Sequence, residues 1–423
     1  MAEHTISRRR VLQCGAVLAA AALTGCGARQ TGTSADSSAQ FATSGEQENA
    51  APRKLTYKAM WISYLDWALA DFSTADTFRA SAQQMLDNCT ALGLNTVIAQ
   101  VRPFGDAMYP SRLFPWSHLC TGTQGQDPGY DPLDILVEEA HTRGLSLEAW
   151  INPYRLRLNE TMPAALAADN LANTHPDWCV EANGGLYLNP AIAEAADYVV
   201  QGVSELLENY AVDGVHFDDY FYPTTDESID AAQYAAAGTS LALADWRRAN
   251  VTGLVRAVRD AIRAVDPALR FGISPQGNPE NNYDGQYSDV SAWIAPAEGE
   301  PLVDYICPQL YWGYHYTLKS GSDRFAFENI SAEWVATPRA EGVALYFGLG
   351  AYRIGDGDGG QNEDSASQWN SGHALADQIA TTASSGADGY ILFRYASLYA
   401  SAYPELAAAE CAAIAGENAG QAQ

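Results

Sequence analysis

The sequence has 423 residues, 47% of them hydrophobic and 18% charged, with a formal net charge of −27. This composition supports a large buried core and lies outside the disordered and fibrous classes. The acidic balance argues against nucleic acid as a partner and against peripheral attachment to anionic lipid, since both need a basic surface.

The chain opens on an export signature. Arg8, Arg9 and Arg10 precede the apolar run 11–23, which is shorter than the about 20 residues that span a bilayer. Ser7-Arg8-Arg9 with Leu12 resembles a twin-arginine signal, and Leu23-Thr24-Gly25-Cys26 resembles a lipobox. We therefore expect residues 1–25 to be a signal peptide and Cys26 to be the acylated (palmitate-bearing) start of a lipoprotein. The alternative is an uncleaved anchor helix. Residues 26–55 are rich in Ser, Thr, Ala, Gln and Gly and read as a flexible tether. The expected location is outside the cytoplasmic membrane, lipid-anchored, facing the envelope or exterior. Cys89, Cys120, Cys179, Cys307 and Cys411 follow, without zinc or redox spacing, and are expected mostly as buried free thiols.

Residues 56–415 read as one domain, followed by a polar tail, 416–423. Apolar strand-type runs fall at 58–64, 95–102, 146–153, 213–221, 270–278, 304–312, 344–354 and 389–398. Near-continuous apolarity fits parallel strands buried on both faces. Helical patterns lie between them. Phe78, Ala82, Met85, Leu86 and Cys89 recur at helical spacing, Asp131-Pro132 caps a second helix, and Asn189-Pro190 is expected to open a third. Eight strands alternating with helices predict a closed (β/α)8 TIM barrel with enlarged βα loops. An open doubly wound sheet is the alternative, but no glycine-rich phosphate loop follows the first strand.

Barrel enzymes place their chemistry at the C-terminal strand ends. Those ends supply Trp61, Arg102, Asp106, Asn152, Tyr154, His216, Asp218, Asp219, Tyr220, Gln276, Gln309, Tyr311, Trp312, Tyr352 and Arg394. Flat aromatic faces stack on pyranose rings, while amides, carboxylates and Arg hydrogen-bond hydroxyls. Carboxylates clustered among aromatics are the signature of glycoside hydrolysis. No Gly-x-Ser-x-Gly elbow, phosphate loop or His-Glu-x-x-His helix is present, so acyl-transfer, nucleotide and zinc-hydrolase readings are poorer. No cofactor or metal is expected. Asp356-Gly357-Asp358 lacks the full ligand order of a calcium loop and reads as an acidic, solvated βα loop.

Strand parity points His216, Asp218 and Tyr220 into the mouth and Phe217 toward the helices, with Asp219 at the rim. Asp218, Asp219 and Asp106 are the candidate catalytic carboxylates; the other strand-end residues are candidate sugar-binding groups. Glu148 lies mid-strand, either as an ion-pair partner of Arg102 or as a remote acid.

These strand ends resemble those of the bacterial glycosyl-hydrolase-like family 10. The matching stretches are 93–111, 130–134, 148–154, 213–223, 272–275, 304–312 and 393–398, including Asp213-Gly214-Val215-His216-Phe217-Asp218-Asp219-Tyr220. The resemblance implies an exported barrel hydrolase, some of whose relatives cleave peptidoglycan strands stripped of peptides. It also implies site roles for Arg102, Asp106, Asn152, Asp218, Asp219, Gln309 and Tyr311. The fourth strand is distantly similar to chitinases, with His216 in place of an Asp and Tyr220 in place of their acidic Glu. The expectation is therefore a glycan-cleaving enzyme of the cell wall. The rivals are a lipoprotein that binds a glycan or solute and has lost catalysis, and an enzyme of storage or capsular polysaccharide.

Overall fold

A computed structural model describes residues 53–421 of the chain, so the signal, Cys26 and nearly all of the tether lie outside the described residues. The strands are, in chain order, β1 (Tyr57–Ile62), β2 (Thr96–Arg102), β3 (Ser146–Ile151), β4 (Arg155–Arg157), β5 (Cys179–Ala182) and β6 (Gly185–Leu188). They continue with β7 (Gly214–Phe217), β8 (Arg270–Ile273), β9 (Tyr305–Ile306), β10 (Gln309–Leu310), β11 (Ala344–Gly350) and β12 (Gly389–Phe393). The main sheet runs β10-β11-β12-β1-β2-β3-β7-β8-β9, all parallel, and β9 also pairs with β11. That last pairing closes the sheet into an eight-staved barrel, with β9 and β10 as two halves of one stave. The open-sheet alternative is thereby excluded. Strands β4, β6 and β5 form a separate antiparallel sheet inside the enlarged loop after β3.

The outer helices are α1 (Ala75–Ala91), α2 (Pro132–Thr142), α3 (Ala193–Asn209), α4 (Leu243–Val265), α5 (Phe327–Ala336), α6 (Ala374–Ser385) and α7 (Pro404–Gly420). Their ends follow local chemistry. Thr74 and Thr77 make a reciprocal capping box on α1, and Asp131 accepts from the backbone N–H groups of Leu133 and Asp134 at the start of α2. The start expected at Asn189-Pro190 moves to Ala193, because Asn189 Oδ1 accepts from Ala191 N and closes a separate turn first. Residues 416–420, read as polar tail, belong to α7. Asn418 is buried there, donating to Leu92 O (2.7 Å) and accepting from Tyr390 Oη (3.0 Å). The described cysteines are free, and Cys89, Cys120 and Cys307 are buried.

Most strands stop short of the C-terminal ends read from sequence. The run 213–221 is strand only over Gly214–Phe217. Beyond Phe217 the backbone turns to local partners: the Tyr220 N–H goes to Asp218 Oδ1 at 3.2 Å, not to a neighbouring strand.

Alternation along the staves separates two cores. Helix-facing Val97, Ala99, Val101, Leu147, Ala149, Ile151, Val215 and Phe217 pack outward. Tyr57, Ala59, Trp61, Ile98, Trp150, Tyr305, Cys307, Tyr346 and Ile391 fill the barrel. Glu148 lies among them. Its Oε1 accepts from Tyr57 (2.9 Å), its Oε2 from Tyr305 (2.5 Å), and Arg270 Nη1 stands 3.8 Å away. Arg270, not Arg102, is thus its counter-charge. Tyr305 reaches Glu148 only because β8 carries Gly272 beside it: a Cβ there would sit 1.8 Å from the ring. Gly272→Ala should cost at least ~2 kcal/mol, since the anchored ring cannot step aside. Urea unfolding of the variant beside wild type measures it, and an unchanged midpoint would contradict the packing account.

Candidate active site at the barrel mouth

The last two turns of side chain before solvent are polar. Asp218 follows β7 directly and is only 4% exposed. Its Oδ2 accepts from Asn152 Nδ2 at 2.6 Å and from Trp150 Nε1 at 3.3 Å. Asp219 is 9% exposed, and its Oδ1 accepts from Gln309 Nε2 at 3.0 Å. The same Gln309 nitrogen also donates to Ser274 O, which fixes the amide between β7 and β8. With the Gln286 amide oriented to suit its neighbours, its nitrogen donates to Asp219 O (3.1 Å) and Tyr222 O (3.0 Å), and its oxygen accepts from Gln276 Nε2 (3.1 Å). Tyr287 beside it takes a left-handed backbone (φ 53) that non-glycine residues avoid. Arg247 holds it there, donating to the Tyr287 hydroxyl while pairing with buried Asp230.

Burial and the adjacent Asp219 push the Asp218 carboxyl up to about 7, against the pull of Arg155 and of the N–H donors. Burial raises Asp219 as well, opposed by Gln309 and Gln276. Two consecutive carboxyls taken out of water do not both ionise easily, so the pair favours holding a shared proton near neutrality.

One layer below lies His216, fully buried and lowered to about 3 by desolvation. Trp61 Nε1 can only donate, so His216 Nε2 accepts (3.2 Å) and the ring proton sits on Nδ1, 2.8 Å from Tyr305 Oη. Tyr305 donates on to Glu148. A neutral chain of donors thus runs from Trp61 to the barrel floor.

The structure redistributes several sequence-predicted residues. Trp61 and His216 are buried beneath the mouth and hold one another; they have no free face for a sugar. Arg102 faces the helices. A register shift between Gln100 and Arg102 places it opposite outward-facing Ile151, and its guanidinium lies 4.3 Å from the Phe114 ring centre beside Gly202 of α3. Tyr154 is likewise buried in the helix-side core. Asp106 has no exposed surface; His118 Nδ1 (3.2 Å) and Gln124 Nε2 (2.9 Å) bind its Oδ2. It organises the loop after β2 and cannot touch a bound sugar in this arrangement. Trp312 stacks on Phe325, with ring centres 4.9 Å apart, and supports the loop after β10. Arg394 donates to buried Asp66 at 2.8 Å and ties β12 to the turn after β1. The acidic loop is not solvated at Asp358: that carboxylate is buried, bound by the N–H groups of Gly313 and Gly360, the Trp369 indole and the Ser365 hydroxyl.

What the mouth brings together is Asp218, Asp219, Asn152, Gln309, Gln276 and Tyr220, with an aromatic wall alongside. Tyr311 stacks on Phe393 (5.5 Å between centres), and Tyr352 meets both rings edge-on. Sequence reasoning passed over Trp150, Phe393, Gln286, Ser274 and Arg155. Trp150 was findable, since it shares strand parity with Asn152.

The family model described as Glycosyl hydrolase-like 10 matches residues 57–367. The chain belongs to that family. The chain is 38% identical over 320 residues to "Glycosyl hydrolase YngK" of Bacillus subtilis (strain 168), covering 70% of this chain and 61% of YngK. It is 34% identical over 328 residues to "Glycosyl hydrolase DigH" of Escherichia coli (strain K12), covering 70% of this chain and 72% of DigH. The chain thus spans about three-fifths of YngK's length. Among solved structures, the glycoside hydrolase domain of PgaB (BpsB) from Bordetella bronchiseptica superposes with a TM-score of 0.55 at 14% identity, over 84% of this chain and 98% of that one. Alpha-L-fucosidase isoenzyme 2 from Paenibacillus thiaminolyticus gives 0.53 at 17% identity, over 86% of this chain and half of its own, 50%. Both likenesses bear on the barrel fold of this chain alone.

The carboxyl pair should titrate as a unit, with one step near about 7. Removing the like charge in Asp219→Asn moves the Asp218 step to lower pH, and carbon-13 NMR of the carboxyl carbons reads both. A wild-type step at the ordinary carboxylate value would dismiss the shared proton. The stability sign follows. The folded protein holds this proton more tightly than the unfolded chain does, so its contribution is full below the unfolded carboxylate range. It is lost as pH rises through about 7. At pH about 8, Asp218→Asn should therefore unfold at higher urea than wild type, by on the order of 1 kcal/mol or more.

Proposed function

We propose that the protein is an exported, lipid-anchored glycoside hydrolase that cleaves peptidoglycan-type amino-sugar strands, with Asp218 and Asp219 as its acid/base pair. The observation that carries this reading is the pair itself: consecutive carboxyls, buried at the barrel mouth, held by amides and pushed up in pKa. At neutral pH such a pair offers one proton and one charge. The protonated member gives its proton to the glycosidic oxygen as the bond to the anomeric carbon breaks. The ionised member orients a 2-acetamido group whose oxygen attacks that carbon, or steadies the developing cation directly; water then adds to the anomeric carbon and gives a proton back to the carboxylate that acted as the acid. Asn152 and Gln309 hold the carboxyls in place, and the Tyr311–Tyr352–Phe393 wall offers a face to a sugar ring.

The family names of the relatives support the hydrolase class. The export signature at Arg8–Arg10 and Cys26, together with the polar segment after it, supports the envelope location. Among the described residues no helix is long and apolar enough to cross a membrane.

Asp218→Asn should lower kcat by ~2–4 orders of magnitude on purified glycan strands, with little change in KM. Mass spectrometry of the products, from strands with and without stem peptides, is the readout. Wild type that cleaves while the variant keeps more than about a tenth of the rate, a loss under ~1.4 kcal/mol, would remove Asp218 from the chemistry. Wild type that binds strands and cleaves none would favour the glycan-binding rival. Separately, Cys26→Ala should release the protein from membrane fractions, and wild type recovered without lipid would contradict the anchor.

A further inference from the structure

Asp106 has no exposed surface in the loop after β2, and Oδ2 alone carries its hydrogen bonds. Gln124 reaches it in a fixed orientation. Its Oε1 accepts from Ala167 N at 2.9 Å and from Asn170 Nδ2 at 3.1 Å, so its amide nitrogen faces Asp106, at 2.9 Å. The second donor is His118, which opens the short helical turn His118–Thr121 and brings Nδ1 to 3.2 Å from the same oxygen. A carboxylate only accepts, so Nδ1 carries the proton of the neutral ring and Nε2 is left as an acceptor. Side-chain exposure is 14% at His118 and none at Asp106, which makes the histidine the accessible end of a buried dyad. Among the described residues Nε2 has no partner, and it is not sealed from solvent as the orphaned Asp106 Oδ1 is.

The dyad stands beside the mouth, not in it. The His118 ring packs on Phe104 with centres 5.4 Å apart, and Phe104 meets Tyr64, the second residue after β1, at 5.3 Å. Phe104 also lies 5.1 Å from the guanidinium carbon of Arg155, which is 5.3 Å from the Tyr220 ring. The Tyr220 N–H in turn serves Asp218. Tyr220, Arg155 and Phe104 thus form a row from the carboxyl pair to His118, and a glycan laid along this rim puts a later sugar over the loop after β2.

Closing that loop does not by itself require a charge. An amide at position 106 would offer one oxygen to both N–H groups without the cost of burying an anion with an unpartnered oxygen. What the carboxylate adds is an effect on His118: it holds the ring in one tautomer and strengthens Nε2 as an acceptor.

We propose that His118 Nε2 accepts a hydroxyl of a sugar on the glycan strand outside the cleaved bond, with Asp106 as the residue that positions it. This rests on the reading of the mouth as a glycan-cleaving site. The ligand class follows from polarity, since a bare ring nitrogen recognises a donor, and hydroxyls are the donors that sugar rings carry. Asp106 serves the strand at one remove, through the histidine.

His118→Asn separates the two ends of the ring: the shorter amide still reaches Asp106 in place of Nδ1, and nothing replaces Nε2. Calorimetry in the Asp218→Asn background, with peptide-free peptidoglycan strands of increasing length as probes, reads affinity without turnover. Affinity should rise with length from the disaccharide upward. His118→Asn should remove roughly threefold to tenfold of that rise, the worth of one hydrogen bond, with Tm held. Nitrogen-15 NMR of wild type, at a pH where the ring is neutral, should find the His118 proton on Nδ1, and Asp106→Asn should raise the Nε2–H fraction. Equal length dependence with and without Nε2 overturns the proposal, as does an Nε2–H ring in wild type. A tautomer indifferent to Asp106→Asn overturns the positioning role. Wild type that shows the His118-dependent gain but cleaves no strand keeps this inference and removes the proposed hydrolase; wild type that binds no strand removes both. If His118→Asn does not fold, a wild type without the length gain or without the Nδ1–H tautomer is sufficient to overturn the idea.

Discussion

Two carboxyl groups on consecutive residues have been withdrawn from water at the end of β7, and the surroundings of the mouth are arranged around holding them there. Isolated buried carboxylates are strongly disfavoured, so each is met by directed donors: Asn152, Trp150 and the Tyr220 N–H at Asp218, Gln309 at Asp219. Those donors come from β3 and the residue after it, the turn after β7, and β10. The barrel supplies them because its staves end at one rim, and closure through β9, β10 and β11 is what carries Gln309 to the same rim as Asp218.

Beneath the pair, the barrel interior is neutral where it could have been charged. His216 stays neutral, and its one N–H points away from the mouth toward Tyr305 and Glu148. Glu148 is raised in pKa by burial but answered by two tyrosine hydroxyls and by Arg270 nearby. Outside the barrel, the Arg247–Asp230 pair and strained Tyr287 set the loop that presents Gln286 to the Asp219 and Tyr222 carbonyls.

The fold and the carboxyl pair were legible because both rest on short-range rules: eight apolar runs at αβ spacing, and a period of two along β7 that points His216 inward and Phe217 outward. What escaped the sequence was whatever broke that period. The bulge before Arg102 turns a residue of the right parity onto the helices. The early end of β3 removes parity as a guide just where Tyr154 and Arg155 follow, so the tyrosine was chosen and the arginine passed over. Depth along the stave was equally invisible: Trp61 and His216 face inward as read, but a layer too low to meet solvent. Asp106 looked like a strand-end carboxylate, yet it is buried in a long loop whose own polar groups, His118 and Gln124, bind its Oδ2.

The small antiparallel sheet after β3 has an implication of its own. Asp218 and Asp219 continue a barrel stave, whereas Arg155 belongs to an insertion that pairs only with itself, through β4, β6 and β5. Residues on a stave are held by strand pairing on both sides; the inserted strands pair only with one another and meet the barrel through fewer contacts, chiefly with the loop after β2. Related chains can therefore exchange this sheet, and with it the character of the surface beside the reacting bond, while the acid pair and its donors stay as they are. Divergence in substrate preference is then expected to be written first between residues 155 and 188, long before it reaches the staves.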